Sequence, residues 1–265
     1  MKKLLPACLP LLLLCVCAAS AQRKPDREAA GLKGAVKSVR LESATRNTTA
    51  EGKTVESARI LRSISVYDEQ GNRLESTSFR HDGSVMSKNS YHRDAQGNSV
   101  QTAYDGDGKF LRKTVQLVDP QGKFTGFIFL GANDELQQRS VETRGANGRL
   151  SEQAVYDANG KLLYRNVFSY DGEGKQTEHA VYNASGNVTQ KTVWAIGGGF
   201  HTMRYDERGN ISFESISKAS TTEATDAQGN WTEQRMLQKN TQNGHTEESV
   251  IVTYRTIEYY PPKKQ

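Results

Sequence analysis

Cysteine is absent from all but the first seventeen residues of this 265-residue chain: Cys8, Cys15 and Cys17 are the only three. Everything after them is therefore without disulfides, thiolate metal ligands or a cysteine nucleophile. Long apolar runs are equally scarce, and none after residue 20 could cross a bilayer as a helix. Lysine and arginine form no block apart from the terminal Lys263-Lys264, and acidic residues are interleaved with basic ones throughout. A nucleic-acid surface clusters its positive charge, so no nucleic-acid partner is expected. His81, His92, His179, His201 and His245 are scattered without ligand spacing, and no metal or cofactor is expected.

The first residues have the organisation of an export signal. Lys2 and Lys3 precede an apolar stretch from Leu4 to Cys17, and Ala19-Ser20-Ala21 offers a small-residue cleavage site. Residues 1–21 are read as a signal peptide cleaved near Ala21, which places the mature protein in the periplasm or outside the cell. Cys17 follows Leu14-Cys15-Val16. The small residue expected next to a lipid-attachment cysteine is missing, so anchoring there is not expected. Cleavage removes Lys2 and Lys3 and lowers the formal charge from +5 to +3. With no apolar helix-length run left, the mature chain is not expected to span a membrane.

What the chain has in abundance is one turn. Tyr156-Asp157-Ala158-Asn159-Gly160-Lys161 returns as Tyr170-Asp171-Gly172-Glu173-Gly174-Lys175 and as Tyr182-Asn183-Ala184-Ser185-Gly186-Asn187. Asp or Asn starts a type I turn by bonding its own backbone, and Gly supplies the positive φ that closes it. In a hairpin such a Gly forms the bulge that keeps two twisted strands paired. One series of these glycines is Gly71, Gly97, Gly122, Gly148 and Gly174, spaced by 26, 25, 26 and 26 residues. A second is Gly83, Gly108, Gly160 and Gly186, with Asn133-Asp134 standing where its missing member belongs. Two interleaved series at one spacing mean a unit of two strands and two turns, each series lying along its own edge of a sheet.

The strands between turns alternate weakly. Residues 60–67 set Ile60, Arg62, Ile64 and Val66 against Leu61, Ser63, Ser65 and Tyr67. Even the better faces are mixed, too polar for a thick sandwich core. The expectation is an all-β, antiparallel meander of repeated β-hairpins with a thin core, forming one long twisted or partly rolled sheet. Residues 22–31 are read as a flexible lead-in, 32–260 as a single domain with less regular hairpins at both ends, and 261–265 as a tail. A sheet left open has edges, and these could pair two copies edge to edge.

Tyr67-Asp68-Glu69-Gln70-Gly71-Asn72-Arg73-Leu74 and Tyr205-Asp206-Glu207-Arg208-Gly209-Asn210-Ile211 resemble YD repeats of the rearrangement-hotspot type. The chain is similar to short secreted bacterial proteins of that kind across residues 31–260. These open with a strand like that of residues 32–39 and close with one like that of residues 254–259. The resemblance implies architecture and little activity: large members wind their sheet into a hollow shell, and some bind carbohydrate. This chain has too few repeats for such a shell and no cargo region after them. Asp119-Pro120-Gln121-Gly122 is similar to the self-cleavage motif of the large members, but lies within a repeat, where Pro presets the same turn.

The candidate site residues are the aromatics Tyr156, Tyr164, Phe168, Tyr170, Tyr182 and Trp194. Such rings stack on sugars, although packing across strands is their commoner use. Asp105-Gly106-Asp107-Gly108 lacks the further ligands of a calcium loop and reads as a turn. No serine, cysteine or carboxylate pair stands in a catalytic motif, and no catalytic residue is assigned. The reading that follows is a non-catalytic extracytoplasmic protein presenting a sheet surface to envelope polysaccharide or an envelope protein. Two alternatives accompany it: an enzyme with a site at the irregular stretch of residues 197–200, and an antitoxin or immunity-type partner protein.

Overall fold

Among the described residues, the turns of the repeat are held by the same pair of backbone hydrogen bonds. Asp157 N–H donates to Lys161 O at 2.9 Å and Gly160 N–H to Asp157 O at 3.1 Å, while Asp157 Oδ1 accepts from the backbone of Asn159 and Lys161. The pattern recurs from Asp68 to Asp226, with Gly160 at φ +83°. Asp134 occupies the glycine-less turn at φ +59°, a left-handed angle that Asp tolerates better than most side chains. Of the irregular stretch of residues 197–200, residue 197 lies outside the described residues; beside it Gly198 N–H donates to Ala195 O and Ala195 N–H to Gly199 O.

The computed structural model describes residues 25–48, 53–119, 124–195, 198–242 and 244–262. The signal peptide, Cys17 and residues 120–122 of the Asp119-Pro120-Gln121-Gly122 motif lie outside them. A short helix, α1 (Asp26–Ala29), precedes the strands β1 (Val36–Thr48), β2 (Thr54–Glu56), β3 (Ile60–Tyr67), β4 (Arg73–Phe79), β5 (Val85–Arg93) and β6 (Ser99–Asp105). Then come β7 (Phe110–Val118), β8 (Phe124–Leu130), β9 (Leu136–Arg144), β10 (Leu150–Asp157), β11 (Leu162–Tyr170) and β12 (Gln176–Asn183). The last are β13 (Val188–Trp194), β14 (Gly199–Tyr205), β15 (Ile211–Lys218), β16 (Thr221–Thr225), β17 (Trp231–Gln242) and β18 (His245–Tyr259).

All pairings are antiparallel, and the last strand returns to the first. β1 pairs with β3 on one side and with β18 on the other, from Val36↔Tyr259 to Arg46↔Val250. With β2 and β16 as short side pieces, 16 strands form a closed barrel. The all-β hairpin meander is therefore as expected, but the open or partly rolled sheet is corrected to a closed ring. Two further expectations fall with it. Closure leaves no long free edge for an edge-to-edge homodimer. The ground for expecting that the chain does not span a membrane is overturned as well: it was the lack of an apolar helix, and a closed barrel is the strand architecture that satisfies its backbone within a bilayer.

The two series of turns form the two rims, as the spacing implied. The turns carrying Gly71, Gly97, Gly148 and Gly174 share a rim with both ends of the described chain, and those carrying Gly83, Gly108, Gly160 and Gly186 form the other.

Register and burial decide which face points inward. In β9, Gln138, Ser140, Glu142 and Arg144 are covered while Arg139, Val141 and Thr143 are exposed. In β15, Ser215 and Ser217 are buried while Ile216 and Lys218 are exposed. Carried round the ring, this parity lines the lumen with uncharged polar side chains joined laterally, and Arg112, Glu142, Arg144 and Arg204 point inward among them. Ser78 bonds Ser87 at 2.7 Å, Gln101 bonds Asn89 at 2.8 Å, Asn166 bonds Gln153 at 3.1 Å, and Thr192 bonds Thr202 at 3.0 Å. The outward face alternates aliphatics such as Val100, Val115 and Ala180 with ion pairs, among them Lys88–Glu75 at 3.1 Å and Lys191–Glu178 at 2.7 Å.

Most of the buried hydrophobic side chains flank the β1–β18 seam. On its inner side Leu32, Val36, Val39 and Tyr67 cluster with Ile257 and Tyr259. Residues 25–31, expected to be flexible, are docked there: Arg27 N–H donates to Gly71 O, and Asp26 Oδ2 accepts from Arg73 N–H. Asn230 clasps the same segment, accepting from Lys33 N–H at 2.7 Å and donating to Lys33 O and the Tyr259 hydroxyl. On the outer side Ala44, Val252 and Tyr254 cluster under the Arg59 guanidinium, 3.4 Å above the Tyr254 ring. Arg46 ties this patch together through Glu56 at 2.9 Å and Glu233 at 3.3 Å.

Candidate functional site

The strand parity divides the predicted aromatic surface. Tyr164, Phe168, Tyr170 and Trp194 are on the inward face, whereas Tyr156 and Tyr182 point outward. The outward pair is capped by arginines of neighbouring strands, with the Arg139 guanidinium 5.4 Å from the Tyr156 ring and that of Arg165 4.9 Å from Tyr182. One continuous platform of six aromatics therefore does not exist.

The four inward aromatics are held in different ways. Phe168 stacks on His179 at 4.8 Å and 4°, and His179 Nε2 bonds Asn166, in line with Gln153. Burial lowers the His179 pKa, which favours the neutral ring. The Tyr170 hydroxyl donates to Leu150 O at 2.9 Å, and Trp194 pairs with Phe200 across β13 and β14. Tyr164 keeps 37% of its surface open, on the inward face beside Val155 and Asn183.

A second inward group was not found from sequence. Phe127 of β8 contacts both Phe124 and Phe129, with centroids 4.7 Å and 6.3 Å apart. Their strand comes close to β9 because residue 126 is glycine: a Cβ there would lie 2.5 Å from Ser140 O. Ser140 Oγ then accepts from Phe127 N–H at 2.8 Å. Phe127 lines a cavity of about 180 Å³ together with Tyr91, Gln101, Thr114, Gln116 and Arg73, and Asp26 of α1 reaches into it. The only hint in the sequence was the density of phenylalanine in residues 124–129. The cavity itself needs β4 to β8 wrapped side by side and α1 brought to their end.

The lumen therefore offers aromatic faces, amides and hydroxyls, with charged side chains set among them: Arg112 over Phe129, Arg204 over Phe213 and Arg144 paired with Glu142. This chemistry complements a polyol. Sugar rings present C–H faces that stack on aromatics and hydroxyls that exchange hydrogen bonds with amides, and neither needs a buried charge. Among the described residues no three His, Cys, Asp or Glu side chains come together as a metal site.

No family model matches the chain, and no curated protein matches it. Among solved structures it is similar to a porin-like protein from Bacteroides uniformis ATCC 8492, at 10% identity and a TM-score of 0.47 over 85% of this chain and 98% of that one. It is also similar to the Photorhabdus luminescens Tc holotoxin pore carrying TccC3-D651A, at 10% identity and a TM-score of 0.16 over 85% of this chain and 21% of that one. A third is MucB in complex with periplasmic MucA, at 10% identity and 0.14 over 83% and 89%. Likenesses this loose carry no argument about the chain. The resemblance to YD repeats of the rearrangement-hotspot type is corrected: no family model supports it, and a ring closed on itself replaces the open sheet expected with it.

Proposed function

We propose that this is a non-catalytic protein of the cell envelope whose barrel binds a glycan segment on its inner wall. The observation that carries the reading is the lining itself, lateral rows of amides and hydroxyls interrupted by Phe127, Tyr164, Phe168, Tyr170 and Trp194. The export signal read from residues 1–21 supports the envelope setting. Contacts come from inside the barrel, in place of the single sheet surface that the six aromatics suggested.

The test is calorimetric titration of the mature protein, residues 22–265, with purified envelope glycan fragments. Saturable binding is expected, and it is expected to weaken about tenfold or more in a Tyr164→Ala, Trp194→Ala variant whose circular dichroism is unchanged, given about 1–3 kcal/mol per stacked ring lost. Absence of saturable binding to any envelope glycan overturns the reading.

A further inference from the structure

Charged side chains on the inner wall include Arg112 and Arg204, each over an aromatic ring, and Arg144 paired with Glu142 at 2.8 Å. Four adjacent strands, β18, β1, β3 and β4, carry Arg255, Arg62 and Arg73 inward. On these four strands, among the described residues, the carboxylate on the same side is Glu247, far off beside the β17–β18 turn, and Asp26 arrives from α1. Arg62 sits at the bulge of β3 and spends Nε on the Ser43 hydroxyl at 2.6 Å. Arg73 and Arg255 are partly buried, and the Nε of each is enclosed without a hydrogen-bond partner. Arg255 lies flat on Trp231, its guanidinium carbon 3.5 Å from the ring centroid, and Arg73 stands 5.3 Å from Tyr91 and 5.9 Å from Tyr67.

A guanidinium carries five N–H donors in a plane suited to a two-oxygen anion. Orphaning one of those donors costs free energy that a ligand oxygen returns. Aromatic neighbours restrain Arg73 and Arg255 while the Nε of each stays without a partner, so little ordering remains to be done when an anion arrives. Burial lowers the pKa of Arg255, and no carboxylate contributes to offsetting it. Arg73, also desolvated, is helped by Tyr67, Tyr91 and Asp26.

We propose that the inner wall of β18, β1, β3 and β4 is an oxyanion site, where Arg73, Arg255 and Arg62 take a carboxylate carried by the glycan in the lumen. The inference rests on the glycan reading for what bears the anion; the site itself stands on the three arginines. Phosphate on a polyol chain offers the same oxygens, and the experiment separates the two sources.

Oligogalacturonate, its methyl ester and glycerol phosphate are titrated into the mature protein, and unfolding is followed in phosphate and in chloride at equal ionic strength. Preference for the acid over the ester by about tenfold or more is expected, since the ester forfeits hydrogen bonds made between two charged groups. Phosphate is expected to raise the Tm of the wild type above its value in chloride. Both effects should vanish in Arg73→Gln, Arg255→Gln and persist in Arg73→Lys, Arg255→Lys, with circular dichroism reporting that each variant folds. Glycerol phosphate binding tighter than oligogalacturonate overturns the carboxylate and leaves the anion site standing. Phosphate stabilisation without binding of any sugar upholds the site and overturns the glycan reading. Acid and ester binding alike, with no phosphate effect, overturns the site and leaves the glycan reading intact.

Discussion

A single backbone angle recurs so often in this chain that its cost can be read at several independent places. Gly83, Gly160 and Gly186 all hold φ between +83° and +85°, and a Cβ at any of them would meet nothing within 4 Å. An alanine there pays for the left-handed angle alone, about 1–2 kcal/mol. Urea unfolding of the three single variants should therefore give closely similar losses, and a variant as stable as wild type would show that the turn has another way to close. At the outer seam, the Tyr254 hydroxyl donates to Glu56 at 2.7 Å. That bond, with Arg46 beside it, holds the Glu56 pKa below its ordinary 4.5, while burial and the same carboxylate push Tyr254 above 10.0. The Glu56 contribution is present above pH 4.5 and disappears as pH falls through its lowered value. The Tyr254 contribution is complete below pH 10 and disappears as pH rises through its raised value. Stability measured against pH should fall at both ends, and Tyr254→Phe should flatten the alkaline fall and reduce the acid one. An unchanged profile in that variant would mean that the pair contributes nothing.

The strand pair, rather than the strand, is the element that the barrel is assembled from. Removing residues 158–183 deletes β11 and β12 and joins Asp157 to the turn that ends in Gly186 and Asn187, leaving an even number of strands. Removing residues 158–170 deletes one strand, so that β1 and β18 would have to meet in parallel. The first variant is expected to remain a folded monomer of smaller girth, and the second to expose unpaired edges and associate. Light scattering after gel filtration distinguishes them, and a monodisperse second variant would overturn the argument. At this scale the sequence was highly legible. Turn chemistry is local, and the alternating pattern of residues 60–67 located β3. Its limits appeared at the bulges: extra residues at Arg62 and in almost every turn reset the alternation, which is why Tyr156 and Tyr182 left the face of Tyr164 and Tyr170.

At the scale of the whole molecule, closure was the step that the sequence could not show. It depends on pairing Val39 with Ile257 and Ala44 with Val252, more than two hundred positions apart, and no local periodicity encodes that register. Residues 32–39 and 254–259 were read as opening and closing strands, but without a stated neighbour. The inner arginines were hidden for the same reason, since Arg62, Arg73 and Arg255 share a wall only once the ring is shut. The seam has a mechanical consequence too. Both of its strands leave the barrel at one rim, so tension applied between the two termini meets the β1–β18 hydrogen bonds one pair at a time, as a zipper does. Moving one handle from the C-terminus to Gly244, at the opposite rim, loads the whole row together in shear. Single-molecule pulling should find a low rupture force in the first geometry and a clearly higher one in the second. Equal forces would mean that the barrel yields first somewhere other than at its seam.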